Sequence, residues 1–183
     1  TGVGPLFEDA NSLGARDMGL LPDSLPGYQS TPEAGMSYAE ILSNAQLKAL
    51  FVMGANPARH LVDAKLPEGL ELLVVQELMP TETVQLADVV LPAVSFAEKE
   101  GTMTNVDHHV QAIRRALRPL PGARPDWEIL VALARSMGQN WDYASPRDIL
   151  LEIAESNPFY AGLTWEDLAA QSVRTQEQEV AHV

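Results

Sequence analysis

Cysteine is missing altogether from the 183 residues. This chain therefore holds no disulfide, zinc–thiolate centre, thiolate-held iron–sulfur cluster or cysteine nucleophile, and the absence fits a reducing compartment. Positive charge is also scarce, with 12 Lys and Arg against 25 Asp and Glu and a formal net charge of -13. A surface of that sign repels phosphate backbones and anionic lipid, so neither nucleic acid nor a membrane surface is an expected partner. No stretch approaches the ~20 apolar residues of a membrane span, so direct membrane insertion by a helix is not expected either. The opening Thr1-Gly2-Val3-Gly4 has no initiator Met, no basic-then-apolar leader and no complete dinucleotide fingerprint, and it reads as part of a longer polypeptide. A Walker loop and a Ser-His-Asp arrangement are likewise not to be found.

What is present describes an ordinary folded chain, 46% hydrophobic and 20% charged. Charge is uneven along it: residues 1–92 carry net -8, residues 93–135 net +1 and residues 136–183 net -6. Only the middle segment would welcome an anion. A loop-rich lead-in over 1–36, an α/β nucleotide-binding-like domain over 37–140 and a helical extension with a frayed tail over 141–183 are expected. Three apolar runs, at 49–53, 70–75 and 88–91, lack alternation and predict strands buried on both faces of a parallel sheet. Helices are predicted around Asn11–Met18, from the Ser37/Glu40 capping box, from Asn56-Pro57 towards Ala64, and from Thr81-Glu82 to Ala87. Right-handed crossovers of this length force the three strands parallel in a doubly wound, mainly parallel sheet with helices on both faces. Residues 94–112 fit a small hairpin. A helix over Asp126–Met137, with Trp127, Leu130, Ala134 and Met137 on one stripe, is stopped by Gly138. Further helices start at Ser145-Pro146 and at Thr164, whose cap partner is Asp167.

Gly54-Ala55-Asn56-Pro57, directly after a predicted strand, is the most informative local motif. A glycine there lets backbone approach a ligand, and Glu77 at the end of the next strand could accept hydrogen bonds from a ribose. The competing reading is a plain strand-to-helix turn. Asp107-His108-His109 could offer metal ligands, although adjacent side chains point apart and a solvated loop is favoured. His60 and His182 are too remote in sequence to complete such a site. Glu98 and Glu100 read as a charged loop rather than an acid–base pair, and Arg114, Arg115 and Arg118 as a solvated face or a grip for phosphate.

Several segments in fixed order resemble the molybdopterin oxidoreductase family. They are Asn11–Gly19 with Leu25–Tyr28, Gly54–Pro57, Thr81–Pro92, Glu100–Asn105, Arg124–Ile129 and Tyr160–Leu163. Two branches are close: the large iron–sulfur subunit of NADH–quinone oxidoreductase (complex I), which commonly carries no molybdenum cofactor in this domain, and the catalytic subunit of cytoplasmic formate dehydrogenase. The resemblance implies that Gly54, Asn56, Glu77, Thr81, Thr83, Thr102 and Asn105 stand nearest the guanine nucleotide of a molybdopterin guanine dinucleotide, if one is bound. After Asn105 the family's acidic–Arg turn is replaced by Asp107-His108-His109. Losing that Arg weakens pyrophosphate binding and argues for the complex I branch.

The expectation is therefore a scaffold domain of the complex I subunit in the peripheral electron-transfer arm. Other subunits of that arm would be its partners, on the cytoplasmic side of the inner membrane. No catalytic residue, no metal and no cofactor are expected in this chain, the iron–sulfur clusters belonging to the rest of the parent protein. The alternatives are the cofactor-binding domain of a formate-dehydrogenase-like oxidoreductase and a stand-alone nucleotide-binding module.

Overall fold

A computed structural model describes residues 9–60 and 66–176. The predicted helix end at Ala64, the Thr1–Gly4 start, and the tail beyond Gln176 with His182 lie outside the described residues. In chain order, α1 is Ser12–Asp17, β1 Ser24–Leu25, β2 Gln29–Ser30, α2 Tyr38–Ser43, β3 Ala49–Met53, α3 Pro57–His60 and β4 Leu72–Glu77. There follow α4 Glu82–Gln85, β5 Val89–Pro92, β6 Gly101–Thr104, β7 His109–Ile113, α5 Asp126–Ser136, α6 Pro146–Ser156, α7 Trp165–Ala170 and β8 Val173–Arg174. These fall into two compact units, each discontinuous in sequence.

One unit comprises Met36–Lys99 and Arg115–Asp142. Its centre is the predicted parallel sheet, in the order β3-β4-β5, with Val52 opposite Val75 and Val75 opposite Val90. The strands are short and β-branched, and each turns directly into a short helix or loop, which suits parallel pairing. Two details differ from the sequence reading. First, β4 spans Leu72–Glu77 rather than 70–75, with Gln76 and Glu77 paired to Leu91 and Pro92, so Glu77 ends the strand as expected while Gln76 lies within it. Backbone pairing is indifferent to side-chain polarity, and a side chain pointing off the sheet does not interrupt it. Second, one sheet face is better covered than the other, although Val90, opposite Val75 on it, is 42% exposed. Val52, Leu73 and Val75 are buried there against Leu50, Leu66, Leu70, Val84 and Ala87, whereas Phe51, Leu72 and Val89 on the other face stay about 40% exposed.

Within the same unit, α2 starts at a capping box: Ser37 Oγ accepts from Glu40 N, and Ser37 N donates back to the Glu40 carboxylate at 2.7 Å. Helix α5 ends one residue early, so Met137 is its C-cap and is exposed instead of closing a stripe. The face it buries carries Ile129, Val131 and Ala134, and Gly138 at φ +84° stops it as predicted.

The other unit gathers the residues up to Gly35, Glu100–Arg114 and the residues from Tyr143 on. The expected hairpin is β6-β7, joined by β8 in an antiparallel three-stranded sheet. Val110, Leu150, Phe159, Tyr160 and Leu168 form its core. Asp148 and Asp167 close the starts of α6 and α7 by accepting from the backbone N–H groups of Ser145 and Thr164. Three hydrogen bonds from Ala144 and Ser145 hold the Asp148 carboxyl below its usual range, the Ala144 N–H contributing most.

The lead-in segment is fixed to this core by a buried carboxylate. Asp17, 2% exposed, accepts from Tyr28 Oη and Tyr160 Oη, each at 2.8 Å, and Tyr160 Oη also meets Thr104 Oγ1 at 2.7 Å. Asn157 Nδ2 reaches the Asp17 carbonyl at 2.7 Å, and Tyr28 packs edge-on against Phe159. Burial first, then the neighbouring carboxylate, pushes the Tyr28 phenol up to about 12. Burial raises Tyr160 as well. Among the described residues, no helix is long and apolar enough to cross a membrane.

Candidate functional site

Five of the seven nominated residues meet at the C-terminal ends of β3 and β4, the edge where open parallel sheets bind ligands. Gly54 N donates to Gln76 O at 3.0 Å and Ala93 N to Glu77 O at 3.1 Å, so the loops leaving the three strands are laced together by backbone bonds. Gly54 sits at φ +60°, and a Cβ built on it would meet nothing within 4 Å. Glycine is needed there for conformation, and the space above it is open.

Asn56 and Thr83 turn inward to stitch this edge. Asn56 Oδ1 accepts from Thr83 Oγ1 at 2.7 Å and from Thr83 N at 3.2 Å, and Asn56 Nδ2 donates to Glu82 Oε2 at 2.7 Å. Fully buried Thr83 also accepts from Ala58 N at 3.1 Å. With their polar atoms engaged, this pair holds the Gly54 loop to the loop after β4. Thr81 caps α4 by accepting from Val84 N. Half-buried Glu77 takes the next residue's N–H on Oε1 at 2.7 Å, while among the described residues no hydrogen bond reaches its Oε2.

Thr102 and Asn105 belong to the other unit. Asn105 Oδ1 accepts from Asp107 N and His109 N, building the β6-β7 turn in which His108 takes φ +62°. Asn is suited to this work because its short amide mimics a turn of backbone. His109 Nδ1 lies 3.2 Å from Ser172 Oγ, and among the described residues no group of three His, Asp or Glu could hold a metal. Glu98 caps the turn from Ser95, and the Ser95 N–H and hydroxyl hold its carboxyl low. Arg114 reaches the Ala169 carbonyl at the end of α7, at 2.6 Å.

Two features at the strand ends escape a sequence reading. Gln76 is wholly buried: its Nε2 donates to Asp126 Oδ1 at 2.9 Å, Lys99 Nζ pairs with the other Asp126 oxygen, and among the described residues nothing donates to Gln76 Oε1. Turning the amide over would set oxygen against carboxylate, so the free acceptor is a real property of this end. The second is Arg59 on α3, exposed and without an ion pair among the described residues. The signal for Gln76 was a polar residue directly following an apolar strand run.

The sequence matches the molybdopterin oxidoreductase pattern over residues 8–136. It is 38% identical to the alpha subunit of F420-dependent formate dehydrogenase 1 of Methanococcus maripaludis, across 94% of this chain and 29% of that protein. The corresponding alpha subunit of Methanocaldococcus jannaschii is 39% identical over the same shares, and the probable oxidoreductase YjgC of Bacillus subtilis is 36% identical over 90% and 19%. This chain thus spans less than a third of the length of these relatives. Among solved structures, acetylene hydratase from Pelobacter acetylenicus shares the fold, with a TM-score of 0.60 at 17% identity over 85% of this chain and 22% of that one.

These relatives overturn the expected scaffold role in complex I, because the similarity runs to proteins named as formate dehydrogenases. The argument for that role rested on the rewritten turn at Asp107–His109. In the structure that turn is built by Asn105 and closes a hairpin, so its side chains say little about the parent enzyme. With a family pattern over most of its length and relatives above 30% identity along nearly all of it, the chain belongs to the molybdopterin oxidoreductase family.

Proposed function

We propose that this chain is part of a formate-dehydrogenase-like oxidoreductase and that its parallel-sheet unit holds the guanine nucleoside of a molybdopterin guanine dinucleotide. The observation that carries the reading is the similarity to formate dehydrogenase alpha subunits across 94% of the chain.

The donor set at the strand ends fits the nucleoside. The unused Glu77 oxygen can accept from ribose hydroxyls or from the N–H groups of guanine, and open backbone at Gly54 allows close approach. Arg59, on the helix that follows Gly54, is an exposed cation that a diphosphate could pair with. Asn56 and Thr83 act one step back, fixing the loop that carries Gly54. When bound, such a group supplies the redox centre that accepts the two electrons released as formate becomes carbon dioxide; the residues named here bind and orient.

Calorimetric titration of the chain with GDP at low salt tests the reading. A dissociation constant on the order of 100 μM, lost in Glu77→Ala with the circular dichroism unchanged, is expected. Absence of heat at about 1 mM GDP, or full binding by the Glu77 variant, overturns it.

A further inference from the structure

The segment between β7 and α5 carries charge opposite in sign to the chain as a whole and holds it on a fixed frame. Residues 115–124 have no helix or strand of their own, yet backbone bonds anchor them repeatedly. Ala116 N and Leu117 N both donate to Ala97 O, at 2.8 and 2.9 Å; Ala123 N donates to Leu120 O and Arg124 N to Pro92 O, each at 3.1 Å. Pro119 and Pro121 stiffen the stretch further.

What the frame displays is apolar and cationic. Phe96, Leu117 and Leu120 are 69%, 60% and 73% exposed, and the bonds from Ala116 and Leu117 to Ala97 bring the backbone of Leu117 next to the residue after Phe96. Arg115 and Arg118 flank them, exposed and with no ion pair or hydrogen bond to their side chains among the described residues. Large exposed apolar side chains grouped with arginine have the composition of protein-binding hot spots. A chain of net -13 with acidic side chains to spare leaves these two guanidinium groups unpaired.

We propose that this loop is a docking surface for an acidic polypeptide segment bearing large apolar side chains, supplied by another protein. Guanidinium forks bind carboxylates in pairs, which favours arginine over lysine for such a partner. A short acidic segment feels the charge within a Debye length of about 8 Å, where the two arginines dominate. An extended polyanion or an anionic membrane meets the whole acidic surface and is repelled. A second copy of the chain fits poorly, because the patch set against itself brings arginine onto arginine. Pre-anchoring of the loop lowers the ordering cost of binding.

Selection of a phage-displayed random dodecapeptide library on the immobilised full chain tests this. Enrichment of peptides combining Asp or Glu with Leu, Ile or Phe is expected. A synthetic peptide of that consensus should bind at least tenfold more weakly to Arg115→Glu/Arg118→Glu, and more weakly to Leu117→Ser/Leu120→Ser, with both variants melting as the parent does. Arg115→Lys/Arg118→Lys should fall between parent and charge reversal. Enrichment without acidic residues, binding unchanged by charge reversal, or co-sedimentation of the chain with phosphatidylglycerol vesicles that the reversal abolishes would each overturn the proposal.

Discussion

Removing one oxygen from Tyr160, by Tyr160→Phe, should show how strongly the lead-in segment is held. The hydroxyl donates to Asp17 Oδ2 at 2.8 Å and meets Thr104 Oγ1 at 2.7 Å, inside a core where Asp17 is 2% exposed and Tyr160 4%. The ring stays, so apolar burial is unchanged and only polar terms alter. A hydrogen bond to a charged acceptor contributes about 1.5–3 kcal/mol, and an orphaned buried partner adds a desolvation cost. Asp17 keeps Tyr28 on its other oxygen, which limits the loss. The expected cost is about 2 kcal/mol, or about 4–8 °C in melting temperature at this chain length. Urea unfolding followed by Trp165 fluorescence, with Trp127 and Trp141 replaced by Phe, reads this unit alone, because Trp165 packs on its core and the other two tryptophans belong to the second unit. Tyr28→Phe in the same background closes a double-mutant cycle, and a coupling of at least 0.5 kcal/mol is expected for residues sharing one carboxylate. A loss below about 0.5 kcal/mol for Tyr160→Phe would refute the reasoning, since a surface substitution does as much.

Alkali should attack the same cluster. Both phenols hold their protons more tightly in the folded state, Tyr28 up to about 12, so their contribution is full below the unfolded value near 10 and is lost as pH rises from there through 12. Urea midpoints measured from pH 9 to 12 should fall from about pH 10 upward, before the folded phenols ionise, and a flat profile would contradict the arrangement. Thr83→Val keeps the shape but leaves Ala58 N and Asn56 Oδ1 short of a partner, and should cost about 1–3 kcal/mol in chemical denaturation. Gly54→Ala meets open space yet must adopt φ +60°, so a cost of about 1–2 kcal/mol by the same measurement is expected from backbone strain alone.

Features set by local chemistry were legible in the sequence. The Ser37/Glu40 and Thr164/Asp167 boxes, the glycine after β3 and the hairpin, which occupies 101–113 of the expected excursion, follow from residues within a few positions of each other, and the parallel pairing of three short apolar runs follows from the short crossovers between them. The candidate site was legible in place but less so in role. Asn56 and Thr83 carry groups that suit a ligand as well as each other, and only the fold shows that each engages the other. The trio of buried Gln76 with half-buried Lys99 and Asp126 was hidden for a related reason, since its charge pair joins residues 27 apart and the bond from its amide joins residues 50 apart. Coverage of the sheet was misjudged because Phe51, Leu72 and Val89 are as apolar as their buried neighbours. Hydrophobicity shows that a face can be buried, not that something in this chain buries it.

The bonds from Tyr160 and Asn157 to Asp17 also set a timetable for synthesis. The parallel strands β3, β4 and β5 are complete once Pro92 has left the ribosome, so that sheet can pair early. Asp17, by contrast, must wait for Tyr160, 143 residues later. At about 5–20 residues per second the interval is roughly 7–29 s. Throughout it the carboxylate remains in water and the two phenols that will enclose it are still apart, the second not yet made. Stalling translation before Tyr160 should therefore leave the lead-in segment open to protease while the parallel sheet resists it.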